Sequence, residues 1–198
     1  VSISQFGYIA NSHLNAVPFV KKALEACRSK KNAVLIFPKG RYDFWPQYCD
    51  EKVYYESNSD VLPLRKCPIL IEDFKNVVID AMGSDFVYND KMQPITIDSS
   101  ENITIKNVNI DWDVPIMGQG QIMAVGDNYI DVAISAESPY EIEKGKIFFT
   151  GEGWKDEMWD AMEFDKETKF IVQDCGDGCL KDGFYSYHAN EISKGLVR

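Results

Sequence analysis

Asp111 and Asp113 sit one residue either side of Trp112 in the stretch NVNIDWDVP, Asn107–Pro115. Two carboxylates beside an aromatic ring are the groups that hold or cleave a sugar. A carboxylate accepts hydrogen bonds from ring hydroxyls, and an indole covers the apolar face of the ring. Glycosidic cleavage with inversion needs an acid and a base about 6.5–9.5 Å apart, on opposite sides of the bond. Residues two apart on a strand lie about 6.6 Å apart and face the same way. Asp111 and Asp113 therefore meet the separation and not the opposed geometry, so the pattern favours a substrate contact over an acid–base couple. Alternation also turns Trp112 away from both aspartates unless a bulge intervenes. The remaining alternative is a solvated face, with Trp112 plugging the interior.

KGRYDFWP (Lys39–Pro46) is the second candidate, offering Arg41, Tyr42 and Trp45 to a cleft; core packing of Tyr42 and Phe44 and a surface ion pair of Arg41 compete with it. GWKDEMWDAMEFD (Gly153–Asp165) places Trp154 and Trp159 among acids and reads chiefly as core and solvated charge. His13 and His188 have no serine or cysteine context and read as structural or surface residues. CGDGC (Cys175–Cys179) reads as thiols rather than as a metal site, because no histidine lies at finger spacing.

These residues need elements to carry them. The 198-residue chain is 45% hydrophobic, enough for a real core, and has a net charge of −10. That charge disfavours nucleic acid, anionic membrane surfaces and strongly acidic polysaccharides as partners. A neutral substrate fits better. No apolar run approaches the roughly 20 residues of a membrane span. The start, VSISQFGYIA, shows no signal peptide. Five cysteines, an odd number, argue against a disulfide scaffold.

Val17, Val20, Ala23, Leu24 and Cys27 recur at helical spacing, with Asn15 placed to cap the helix and Pro18 in its first turn. Val34–Phe37 is a continuous apolar run, expected to be a strand buried on both faces. RYDFW is a second extended piece, and Tyr48–Asn58 is expected to be a surface loop. The main organisational signal is a repeat. PILIEDFKNVVID starts at Pro68 and PITIDSSENITIK at Pro94, 26 residues on. Ile69, Ile71, Asn76, Val77 and Ile79 align with Ile95, Ile97, Asn102, Ile103 and Ile105. Paired strands at this period predict a β-solenoid, with a two-layer sandwich as the alternative. Asn76 and Asn102 fall at the same turn, where asparagine tolerates the left-handed conformation and can bond to its stacked counterpart. After Pro115 the register is lost. GQGQIMAVGDNYIDVAIS reads as a hairpin, and turn signals recur as in a small barrel or sandwich. The expected division is 1–115 for a cap helix and first coils, and 116–198 for an inserted small β-barrel. A solenoid needs about three coils and a cap, so the chain reads as the N-terminal part of something longer.

NAVPFVKKALEAC followed by VLIFPKGRYDFWP resembles the cap and first coil of right-handed parallel β-helix proteins of the pectate lyase type. Asn15, Ala16, Ala23, Leu24, Ala26, Cys27, Pro38, Gly40 and Tyr42 carry that likeness. NIDWDVP followed by GQGQI and a β-rich insertion resembles the bacterial α-1,3-galactosidases of glycoside hydrolase family 110. The resemblance implies a mostly β fold, with a right-handed parallel β-helix interrupted by barrel domains. It implies removal of terminal α-1,3-linked galactose from glycans, with inversion and with no metal or other cofactor. It places the catalytic aspartates on later coils, beyond Arg198, so that this chain alone is inactive. Asp111, Trp112, Asp113, Arg41 and Trp45 are then the expected substrate contacts. The expected partners are a glycan with terminal galactose and the remaining C-terminal β-helix of the same protein, with no membrane span. The expected location is periplasmic or extracellular. Two other classes compete: a non-catalytic carbohydrate-binding solenoid, and a β-helix polysaccharide lyase.

Overall fold

A computed structural model describes residues 1–55, 63–158, 161–172 and 187–198. The chain forms two compact units, Val1–Asp113 and Val114–Arg198.

The first unit opens with a short 3-10 turn (Ile3–Phe6) and helix α1 (Val17–Arg28). The helix buries the expected stripe of Val17, Val20, Ala23, Leu24 and Cys27. Ala16 is its N-cap residue; the Asn15 side chain still serves the first turn, accepting the Val17 N–H at 3.1 Å. Arg28 closes the other end, donating to the carbonyls of Glu72 and Asp73 and lying 4.1 Å over the Phe74 ring.

Eight strands follow. They are β1 (Ala33–Ile36), β2 (Arg41–Phe44), β3 (Asp50–Val53), β4 (Leu64–Cys67), β5 (Ile69–Glu72), β6 (Lys75–Tyr88), β7 (Ile95–Asp98) and β8 (Glu101–Trp112). Three passes of the chain stack in parallel, and the 26-residue repeat brings like residues of the second and third opposite one another. β5 pairs with β7, Ile69 facing Ile95 and Ile71 facing Ile97. β6 pairs with both β1 and β2 on one side and with β8 on the other. Val77 faces Ile103 and Ile79 faces Ile105. β6 turns a corner at Met82 and Gly83, both at positive φ, and β8 turns at Asn107. The register slips there: Asp80 faces Lys106, but Ser84 faces Val108. Two extra residues in the β6 corner shorten the offset from 26 to 24.

Inward residues form columns. Leu35, Ile79 and Ile105 make one, and Phe44, Tyr88 and Trp112 another. The Phe44 and Tyr88 rings stack at 4.8 Å and the Tyr88 and Trp112 rings approach to 5.7 Å. The third pass is the least covered. Ile71 is 0% exposed, while its counterpart Ile97 is 50% exposed.

The left-handed asparagines stand where the repeat placed them. Asn76 and Asn102 both have φ of 54°, and the Asn102 amide donates to Asn76 Oδ1 at 3.0 Å. Asn102→Ala removes this bond and puts alanine in a strained conformation. The two losses together should cost about 1–2 kcal/mol. Urea denaturation reads that loss, and Asn102→Gly should recover the backbone part of it. An unchanged midpoint for Asn102→Ala would contradict the ladder.

Two expectations need correction. β1 is not buried on both faces: Ala33 and Leu35 point into the core, while Val34 and Ile36 face solvent. Only one layer packs on this strand, so an unbroken apolar run misreads as doubly covered. The Tyr48–Asn58 segment is not all loop: Asp50–Val53 pairs antiparallel with β4. Its alternation is polar, held by Lys21–Asp50 and Lys52–Glu72 ion pairs, and carries no hydrophobic signature.

The second unit holds β9 (Gly120–Val125), β10 (Ile130–Ile134), β11 (Tyr140–Glu143), β12 (Lys146–Gly151), β13 (Trp154–Glu157), β14 (Glu191–Ser193) and β15 (Leu196–Val197). β9 and β10 form the expected hairpin, closed by the Gly126 N–H on the Tyr129 carbonyl. Among the described residues the strands make two antiparallel sheets, β14-β15-β10-β9 and β11-β12-β13. Ile147, Ala189 and Val197 form a small core. Arg198 grips Asp131 with two hydrogen bonds of 2.7 and 3.0 Å and covers the Tyr129 ring at 3.8 Å.

Candidate functional site: a carboxylate and guanidinium face on the first unit

Tyr42 and Phe44 are buried inward, so the intervening alternation turns Arg41 and Asp43 outward. The ladder then aligns Arg41 with Asp85 and Asn109, and Asp43 with Val87 and Asp111. Asp113 follows directly after β8, its N–H bonded to the Tyr88 carbonyl. One face of three adjacent strands thus carries a guanidinium, an amide and several carboxylates.

Arg41 crosses this face. Its Nη2 donates to Asp113 Oδ1 at 2.7 Å and to Asp43 Oδ1 at 2.6 Å, and its Nε donates to the same Asp43 oxygen at 2.8 Å. These bonds, Asp43's first, raise the guanidinium pKa above its ordinary value. Asp113 is half exposed at its side chain, and Asp43 is buried. The second Asp43 oxygen has no hydrogen bond; His13 Nδ1 approaches it to 3.2 Å without alignment. Asn109 donates to Asp85 at 2.9 Å, and Asn107 donates to Asp80 at 2.9 Å, which, with further bonds from the Met82 N–H and Lys106, lowers the Asp80 pKa. Asp111 is exposed and accepts its neighbour's N–H at 2.8 Å.

Of the residues singled out from sequence, Arg41 and Asp113 are brought into contact, and Asp111 shares their face. Trp112 is on the other side, packed against Tyr88, with its indole N–H donating to the Asp90 carbonyl at 3.3 Å. Trp45 lies just beyond β2, its N–H bonded to Asn15 Oδ1 at 3.3 Å. Trp154 sits in β13 of the other unit. Trp159, Cys175 and Cys179 lie outside the described residues. Among the described residues, no three acidic, histidine or cysteine side chains are grouped to hold a metal. Asp43 and Asp85 were missed. The signal for Asp43 was its two-residue spacing from Arg41, the same spacing that drew attention to Asp111 and Asp113.

The face can bind a neutral polyhydroxylated ligand. Half-neutralised carboxylates accept hydroxyl hydrogen bonds, and charge-assisted bonds of this kind are among the stronger ones. Both aspartates of the DWD motif point one way, so they cannot sandwich a bond.

The whole chain is 42% identical over 200 residues to alpha-1,3-galactosidase B of Bacteroides thetaiotaomicron, covering 32% of it. The chain is similar along its whole length to part of this α-1,3-galactosidase. Alpha-1,3-galactosidase A of Shewanella woodyi is 39% identical over 172 residues, which are 85% of this chain and 28% of that protein. Alpha-1,3-galactosidase A of Bacteroides fragilis is 29% identical over 205 residues, covering the whole chain and 33% of that protein. This chain thus spans about a third of the length of the galactosidases it matches. Residues 118–198, within the second unit, match the family model for GLAA-B beta-barrel domain I.

Proposed function

We propose that the protein carrying this chain removes terminal α-1,3-linked galactose from glycans, and that the outward face of the first unit is one wall of its sugar site. End-to-end similarity to named α-1,3-galactosidases carries this reading. Arg41, Asp111 and Asp113 are its proposed sugar contacts, with Trp112 and Trp45 bracing them from within and from the strand end. The parallel stacking of three passes supports a right-handed parallel β-helix with α1 as its cap, here residues 1–115. The half-exposed Ile97 and Ile110 of the third pass leave a surface for the remaining C-terminal β-helix of the same protein. Residues 116–198 form the inserted small β-barrel. A glycan substrate would support a location in the periplasm or outside the cell.

Inverting cleavage needs opposed carboxyl groups, and the same-face geometry of Asp111 and Asp113 supports a binding role. The acid and base then belong to later coils. The test offers a disaccharide of galactose α-1,3-linked to galactose to the whole protein and to the isolated chain. The whole protein should release galactose and the isolated chain none. An intact disaccharide with the whole protein, or hydrolysis by the chain alone, would refute the reading.

A further inference from the structure

Asp43 is 0% exposed on the outward face, beside the Asn11–Asn15 segment. That segment runs along the outer edge of β2, with the Asn11 N–H on the Arg41 carbonyl and the Ala16 N–H on the Asp43 carbonyl. A buried carboxylate is costly unless paired and hydrogen-bonded. Here one oxygen takes both Arg41 bonds, and the other has no hydrogen bond, with His13 Nδ1 3.2 Å away. An apolar side chain would fill the same space at lower cost, so core packing does not account for an aspartate.

We propose that Asp43 is a positioning residue for the sugar-binding face: it fixes the plane of the Arg41 guanidinium, and through it the carboxylate of Asp113. This inference rests on the reading of the face given above. The geometry leaves Arg41 a choice. Asp85 is its direct neighbour in the ladder, and Asp113 lies one strand further on. Opposite charges side by side in a ladder attract, so an unrestrained Arg41 would divide its time between the two. Asp43 removes the choice. Two bonds to one oxygen of a side chain two residues away orient the planar fork, and the shared Nη2 is left directed at Asp113. Asp113 is thereby held in one orientation before the ligand arrives, and Asp85 remains with Asn109.

The test is a double-mutant cycle on the whole protein, with KM and kcat for the α-1,3-galactosyl disaccharide. Asp43→Asn should raise KM about three- to tenfold and leave kcat within about twofold, because geometry and not chemistry is lost. Asp113→Asn should raise KM as well. In the Asp113→Asn background, Asp43→Asn should add less than about twofold, since the group it orients is altered already. Should Asp43→Asn not fold, the smaller Asp43→Ser carries the same cycle, because its shorter side chain withdraws the charged acceptor from the Arg41 fork. A wild-type KM in Asp113→Asn overturns the reading of the site and this inference with it. A raised KM in Asp113→Asn with an unaltered Asp43→Asn, or single effects that multiply in the double mutant, overturns the inference alone.

Discussion

Phe86→Ala should destabilise the Val1–Asp113 unit by about 3–5 kcal/mol, the range for a fully buried phenylalanine. Phe86 is 0% exposed at the middle of the stack. Its ring lies 4.8 Å from Phe37, 5.3 Å from Phe44 and 5.7 Å from Tyr42. Truncation removes three aromatic contacts at once and leaves a cavity between strands that cannot close on each other, because the ladder fixes their spacing. A loss of that size is a large fraction of the total for a domain, which is typically about 5–15 kcal/mol. Phe86→Leu keeps most of the volume and should cost much less. Urea titration of both variants checks this, and a loss below about 1 kcal/mol for Phe86→Ala would mean that the aromatic columns are not the core.

The repeat was legible because like residues must stack. Ile69 over Ile95 and Asn76 over Asn102 are visible as a 26-residue offset, and the ladder follows from it. The same offset hid the rest. Beyond Asp80 the corner at Met82 and Gly83 takes two residues that the next pass lacks. Phe86 and Ile110, and Tyr88 and Trp112, are therefore true counterparts at an offset of 24, and a search at 26 passes over them. The β3 strand was invisible because its pairing is sustained by ions and not by apolar alternation. The apolar run of β1 was visible but ambiguous, since only packing reveals that a single layer covers it.

The site was legible in the same partial way. Alternation alone put Asp111 and Asp113 on one face and Trp112 on the other, and in the fold Trp112 joins the Phe44–Tyr88 column. No pattern along the sequence links Arg41 to Asp113, which are 72 residues apart, because that contact exists only once three passes are stacked. Asp43 was harder still. It is buried, and the N-terminal segment is laid along β2 beside it, a long-range arrangement with no local signature.

Asp113→Asn should lower kcat/KM of the whole protein on the α-1,3-galactosyl disaccharide by about 10- to 100-fold. A hydrogen bond to a charged group is worth about 1.5–3 kcal/mol, and each 1.4 kcal/mol is about a factor of ten. Asp113 Oδ1 is engaged by Arg41, which orients the side chain and leaves its exposed portion to a sugar hydroxyl. Asp111→Asn should act in the same direction, because Asp111 shares the face and is exposed. Both losses should lie mainly in KM. An essential acid or base would instead lose activity by orders of magnitude in kcat, as removal of a reacting group does. The measurement that bears most directly on the sugar-binding face is therefore kcat and KM for wild type, Asp111→Asn and Asp113→Asn in the whole, folded protein. Both variants should show a raised KM with kcat largely kept, and wild-type values for both would mean that this face does not hold the sugar.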